Sequence, residues 1–108
     1  MKESLENFIV IKHTDDTTIF EILKGHLLTE DYDEIKEQFD KNIPDLRKKV
    51  IIDLEKVEYM SSLILTSLMY ILKKITEENK ELMLKGVTPK VKDILTSTGL
   101  DKIFTIEQ

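Results

Sequence analysis

The chain reads as an α/β domain on a mixed β-sheet, in the order β-β-α-β-α-β-α-β, with its helices packed mainly on one side. Three observations predict this. Short segments rich in Ile, Val and Phe alternate or run continuously apolar. Longer segments between them carry apolar residues at helical spacing. The only glycines and prolines (Gly25, Gly86, Gly99, Pro44 and Pro89) all fall where one segment ends or the next begins. Strands alternating with helices imply right-handed crossovers and parallel pairing, and an opening hairpin adds an antiparallel strand.

Residues 8–12 form the first predicted strand. Residues 17–23 form the second, with Asp15-Asp16 as the turn between them and Gly25 closing it. A helix is expected over 31–42. Asp31 followed by Glu34 resembles a capping box, Tyr32, Ile35 and Phe39 share a face, and Pro44 prevents continuation. Residues 50–54 are the third strand, a continuous apolar run of the kind found when both sheet faces are covered. The second helix covers 62–78, with Leu65, Leu68, Met69, Leu72 and Ile75 as its core stripe. Residues 81–85 form the fourth strand, with Leu82 and Leu84 on one face and Met83 on the other. Thr88 can cap a third helix whose first position is Pro89, and Gly99 suits a left-handed residue just past its end. Residues 103–106 are the last strand.

At 108 residues the chain suffices for one domain, spanning 1–108, that buries roughly 60–70% of its unfolded surface. A net charge of −5 argues against nucleic acid, which favours a basic face, and against an anionic membrane surface. Without cysteine there is no disulfide, zinc–thiolate site or thiol nucleophile. No apolar run approaches the ~20 residues of a membrane span. The first residues place acids on both sides of a short apolar run, unlike a signal peptide. A cytoplasmic protein is expected.

The functional question turns on Ser61 and Ser62, which stand at the head of a strongly apolar helix. A helix N-terminus has unpaired N–H groups and the positive end of a dipole, so it suits a hydroxyl cap or a phosphate. One of the two serines simply capping the helix, worth about 1 kcal/mol, is the bland account and is compatible with a phosphate there. His13 and His26 lie near strand ends in polar surroundings and read as surface or turn histidines. A Ser–His nucleophile would need an orienting third group and an oxyanion hole, and no G-x-S-x-G elbow exists, so no enzyme is expected. Glu30, Asp31, Asp33 and Glu34 cluster at a helix start, where the dipole favours them. No metal and no cofactor is expected, since a Gly-rich phosphate loop is also missing. Leu63 and Tyr70 lie two turns apart, off the core stripe, with Thr66 and Ser67 between them. They are either packing at the stripe's edge or an apolar patch beside the serines, which would mark an interface.

Three segments together resemble the STAS domain, the module of bacterial anti-sigma factor antagonists. Residues 23–27 (LKGHL) stand where that family has L-x-G-x-L at the end of its second strand. Residues 50–54 (VIIDL) followed by 57–62 (VEYMSS) match its strand, loop and serine motif. Residues 95–104 (LTSTGLDKIF) resemble its L-x-x-T-G-L-D-K-x-F ending.

The resemblance implies a regulatory binding protein that acts by partner switching in transcription control. The unmodified antagonist binds an anti-sigma factor that is also a GHKL-type serine kinase. Phosphorylation of one serine releases it, and a serine phosphatase resets it. Ser62 aligns with the phosphorylated serine, and Ser61 is the runner-up. The implied partner surface comprises Gly25, His26, Leu28 and Thr29, then Glu58, Tyr59, Met60 and Ser61, then Leu63, Thr66 and Tyr70. The chain departs from the family pattern where Ser61 replaces an aspartate, Leu63 a small residue, Ile64 a glycine and Leu28 an acid. A STAS domain serving as a scaffold in a sensory assembly, without a phosphoswitch, is the alternative.

Overall fold

A computed structural model describes residues 2–107. Its strands are β1 (Lys2–Glu6), β2 (Ile9–His13), β3 (Thr17–Ile22) and β4 (His26–Leu27), followed by helix α1 (Tyr32–Asn42) and strands β5 (Lys49–Asp53) and β6 (Tyr59–Met60). Helix α2 (Ser62–Glu77), strand β7 (Glu81–Lys85), helix α3 (Pro89–Ser97) and strand β8 (Thr105–Glu107) complete the chain. Six strands form one mixed sheet in the order β1-β2-β3-β5-β7-β8. β1, β2 and β3 are antiparallel, and β3, β5, β7 and β8 run parallel. β5 lies inside the sheet, between β3 and β7. β4 and β6 form a separate two-stranded parallel sheet.

One face of the large sheet makes the core. Ile9, Ile11, Phe20, Ile22, Val50, Ile52, Leu82 and Leu84 point to it and meet Ile35 and Phe39 of α1, Ile64, Leu68, Ile71 and Ile75 of α2, and Val91 and Leu95 of α3. The other face carries the alternate residues of each strand, and Ile19, Ile51 and Met83 there are only half-buried. The apolar run of β5 is therefore covered on one face, not two.

Several local expectations hold. Residues 14–16 turn β2 into β3, with the Thr14 N–H donating to the Thr17 carbonyl at 2.8 Å. Thr88 is the N-cap of α3. Its Oγ1 accepts from the Val91 N–H at 3.4 Å and donates to the Val57 carbonyl at 2.9 Å. Gly99 adopts φ 77° just beyond the last helical turn, a conformation glycine adopts without steric cost.

Others are corrected. β1 is an additional strand ahead of the expected first one, turned into β2 through Asn7 at φ 54°. The last strand begins at Thr105, because residues 100–102 form a 3-10 turn; Phe104 is buried and Ile103 exposed. The core stripe of α2 is Ile64, Leu68, Ile71 and Ile75 with Leu65, whereas Met69 is 38% exposed and Leu72 half-buried. Asp31 does not form the expected capping box with Glu34: its side chain makes no cap bond to α1. It accepts instead from the Leu28 N–H at 2.8 Å and from Lys24 Nζ at 2.7 Å, closing the turn that precedes the helix. His13 is buried rather than superficial, with Nδ1 2.9 Å from Thr18 Oγ1, which also accepts from the Arg47 N–H.

Candidate functional site

The small β4–β6 sheet assembles the site. Its register pairs His26 with Tyr59 and Leu27 with Met60. The Gly25 carbonyl accepts from the Glu58 and Tyr59 N–H groups at 2.7 and 3.2 Å, and the Leu27 carbonyl from the Ser61 N–H at 2.9 Å. Two segments some thirty residues apart thus meet at the head of α2.

The pair of serines splits in environment. Ser61 is the backbone N-cap: its φ and ψ are extended, and its carbonyl accepts from Ile64 and Leu65 at 3.1 and 3.3 Å. Its hydroxyl makes no capping bond. Oγ is shielded from solvent and finds no hydrogen-bond partner among the described residues. The expectation that a serine hydroxyl caps the helix is thus not met at the N-cap residue. Ser62 occupies the first helical position and is exposed.

Around Ser62 lies a partly apolar surface. Leu28 is 37%, Leu63 37% and Tyr59 47% exposed, and His26, Thr29, Glu58 and Thr66 are exposed as well. The His26 ring meets Tyr59 edge-on at 6.3 Å. Gly25 is half-buried. Met60 departs from its expected place: as the inward residue of a two-residue strand it is 2% exposed and belongs to the core. Tyr70 also differs from a free patch residue. Its hydroxyl donates to Asp40 Oδ1 at 2.8 Å and its ring meets Phe39 edge-on, so it ties α2 to α1. Lys36 and Lys74 stand over the ring at 4.8 and 5.6 Å. The bond to the Asp40 carboxylate, with burial and the Asp40 charge, raises the Tyr70 pKa above its ordinary value.

Met69 was missed as a surface residue. Ser62, Thr66, Met69 and Lys73 recur at spacings of four, three and four, so an outward Ser62 and Lys73 carry Met69 outward too. With Leu63 and Leu28 it extends the apolar surface along the helix. Among the described residues no three His, Cys, Asp or Glu side chains are grouped to hold a metal ion, and no helix is long and apolar enough to cross a membrane.

These features define a small α/β domain with partly apolar ground exposed around an exposed serine. The chain belongs to the STAS domain family, whose model matches residues 8–108. Among solved structures, a Thermotoga maritima protein described as a candidate anti-sigma factor antagonist is 28% identical, over 91% of this chain and 84% of that one, with a TM-score of 0.80. An anti-sigma factor antagonist domain protein of Planctomyces limnophilus is 24% identical over 93% and 88%, with a TM-score of 0.81. The phosphorylated form of the Bacillus cell fate determinant SpoIIAA shares the fold at 15% identity over 93% and 91%, with a TM-score of 0.70.

Proposed function

We propose that this chain is a cytoplasmic anti-sigma factor antagonist without enzymatic activity of its own, acting as one domain over residues 1–108. It binds an anti-sigma factor that is also a GHKL-type serine kinase, is released when that kinase phosphorylates Ser62, and is reset by a serine phosphatase. The observation that carries this reading is the split between the serines: Ser62 is exposed at the first position of α2 and Ser61 Oγ is shielded. Leu28, Tyr59 and Leu63 supply apolar area for docking beside it.

Phosphate adds about −1.5 to −2 charges at neutral pH. A helix N-terminus accommodates negative charge, stabilising it by up to ~1–2 kcal/mol. A docked partner presenting an acid does not. At roughly 5 Å and an effective dielectric near 20, a like-charge pair costs ~3 kcal/mol, on the order of a hundredfold in affinity.

The scaffold reading is favoured by one observation. The first turn of α2 carries no acid, and Ser61 stands where the family has aspartate. Incubation with a candidate GHKL-type kinase and ATP, followed by intact mass and phosphosite mapping, separates the two. Phosphate on Ser62 is expected. Phosphate on Ser61 alone overturns the assignment of the serine, and an unmodified chain favours the scaffold.

A further inference from the structure

The face of the large sheet opposite the helices bears a pattern that the serine site does not use. Across β2, β3, β5, β7 and β8 the register aligns Lys12, Ile19, Ile51, Met83 and Thr105 in one row, and none of the five is buried. Ile19, Ile51 and Met83 make an apolar band over three neighbouring strands. Charges flank it on both sides. On one side of the band Lys49 lies beside Glu81, and on the other Asp53 lies beside Lys85, with Glu21 and Glu107 at the outer ends of that second flank.

We propose that this face packs against the same face of a second copy of the chain, forming a symmetric dimer. The argument is charge complementarity. A two-fold axis laid along the row inverts the direction of every strand and preserves the order of strands. Ile19, Ile51 and Met83 then meet their own counterparts. Lys49 of each copy meets Asp53 of the other, and Glu81 meets Lys85. Four opposite-charge contacts surround an apolar centre, and the two flanking pairs of β5 and β7 contribute no like-charge contact. Lys12, at the β2 end of the row, also lies on the axis and meets its own counterpart, and Glu21 of its own chain, 3.6 Å from its ammonium, offsets that like charge. Stacked sheets pack about 10 Å apart with strand directions within about 30°, a geometry this axis allows. Isologous contacts of this kind are the commonest route to a homodimer.

The row and its flanks cover roughly 19 by 13 Å, from strand and residue spacings. That is small beside the ~800 Å² per partner of a standard stable interface, so the dimer is weak and concentration-dependent. The surface around Ser62 lies at the helix side and stays open. This inference stands independently of the phosphoswitch.

Glu81 and Lys85 are both exposed on β7, so each can be reversed with little effect on the core. In sedimentation velocity over a concentration series at low ionic strength, the wild-type chain is expected to move from monomer to dimer, with weaker association as salt rises. Glu81→Lys and Lys85→Glu each place two like-charge contacts in the dimer and should weaken it by tenfold or more. Mixed one to one, the two variants restore the pairing and should form a heterodimer as strong as the wild type. A wild-type chain monomeric at every concentration overturns the proposal, as does a mixture that stays monomeric or variants that dimerise unchanged. A second measurement needs no variant. Methyl resonances of Ile19, Ile51 and Met83 should shift on dilution, and dilution shifts confined to Leu28, Leu63 and Met69 overturn the proposal by moving the contact to the serine side.

Discussion

Tyr70 of α2 donates its phenolic hydrogen to Asp40 of α1 across 2.8 Å, and so joins the two helices that flank the serine site. Its neutral form is the one the fold favours, since the bond to the carboxylate, then burial and the Asp40 charge, raise its pKa. For a group whose folded pKa lies above its unfolded value, the stabilisation is fully present below the ordinary value of 10.0 and is lost as pH rises through the folded one. Tyr70→Phe should remove the bond at a cost of about 1 kcal/mol in urea unfolding at neutral pH. In an alkaline titration followed by tyrosinate absorbance, the wild type should show one more late-ionising phenol than this variant. An unchanged late phase would mean that the Tyr70–Asp40 bond does not persist in solution.

Leu68 and Met69 are neighbours in sequence and opposites in packing, Leu68 being 3% exposed. Leu68→Ala should cost about 2–5 kcal/mol through lost contacts and the cavity left behind. Met69→Ala should stay within about 0.5 kcal/mol, as surface substitutions usually do. Equal effects in chemical denaturation would place the wrong face of α2 against the sheet.

That pair also shows what the sequence could convey. Apolar periodicity located α2, but its phase was ambiguous because apolar residues surround much of the helix; the stripe chosen from Leu65, Leu68 and Ile75 admitted Met69 and left out Ile64 and Ile71. The central strand β5, the hairpin into β3, and the punctuation by Thr88, Pro89 and Gly99 were readable because each rests on local chemistry. β1 was not, since charged residues in KESLE hide an edge strand. β4 and β6 were not, since a two-residue strand has no period. The exposed surface of Leu28 and Tyr59 followed from the family resemblance and that of Leu63 also from its place off the core stripe, whereas the shielding of Ser61 Oγ and the inward turn of Met60 depend on tertiary packing, which no local pattern encodes.

Asp31 is a buried carboxylate with two charge-assisted partners, the Lys24 ammonium and the Leu28 N–H. Asp31→Ala should destabilise the chain by about 1.5–3 kcal/mol in thermal or urea unfolding. Lys24→Ala should cost less, because the Leu28 bond remains. The reverse order would show that the ion pair, not the turn, is what Asp31 holds.

On the serine side, Leu63→Asp should leave the circular dichroism spectrum unchanged and weaken capture of the kinase partner by tenfold or more, because a charge would enter an apolar contact. Ser62→Ala should remain bound after ATP is added, and Ser62→Asp should bind weakly. Full-strength capture by both Leu63→Asp and Ser62→Asp would move the docking surface away from the head of α2.

The loop that enters α2 is pinned from several directions. Leu54 bonds to Lys85, Val57 accepts from Thr88, Glu58 bonds to Gly25, and Ser61 bonds to Leu27, at 2.7–2.9 Å. A partner arriving there meets a surface whose backbone entropy was surrendered when the chain folded, so little further ordering opposes association. The same pinning means that a modification at Ser62 cannot be absorbed by the loop giving way. On the proposed reading, departure of the partner is the response to the added charge that costs the chain no rearrangement.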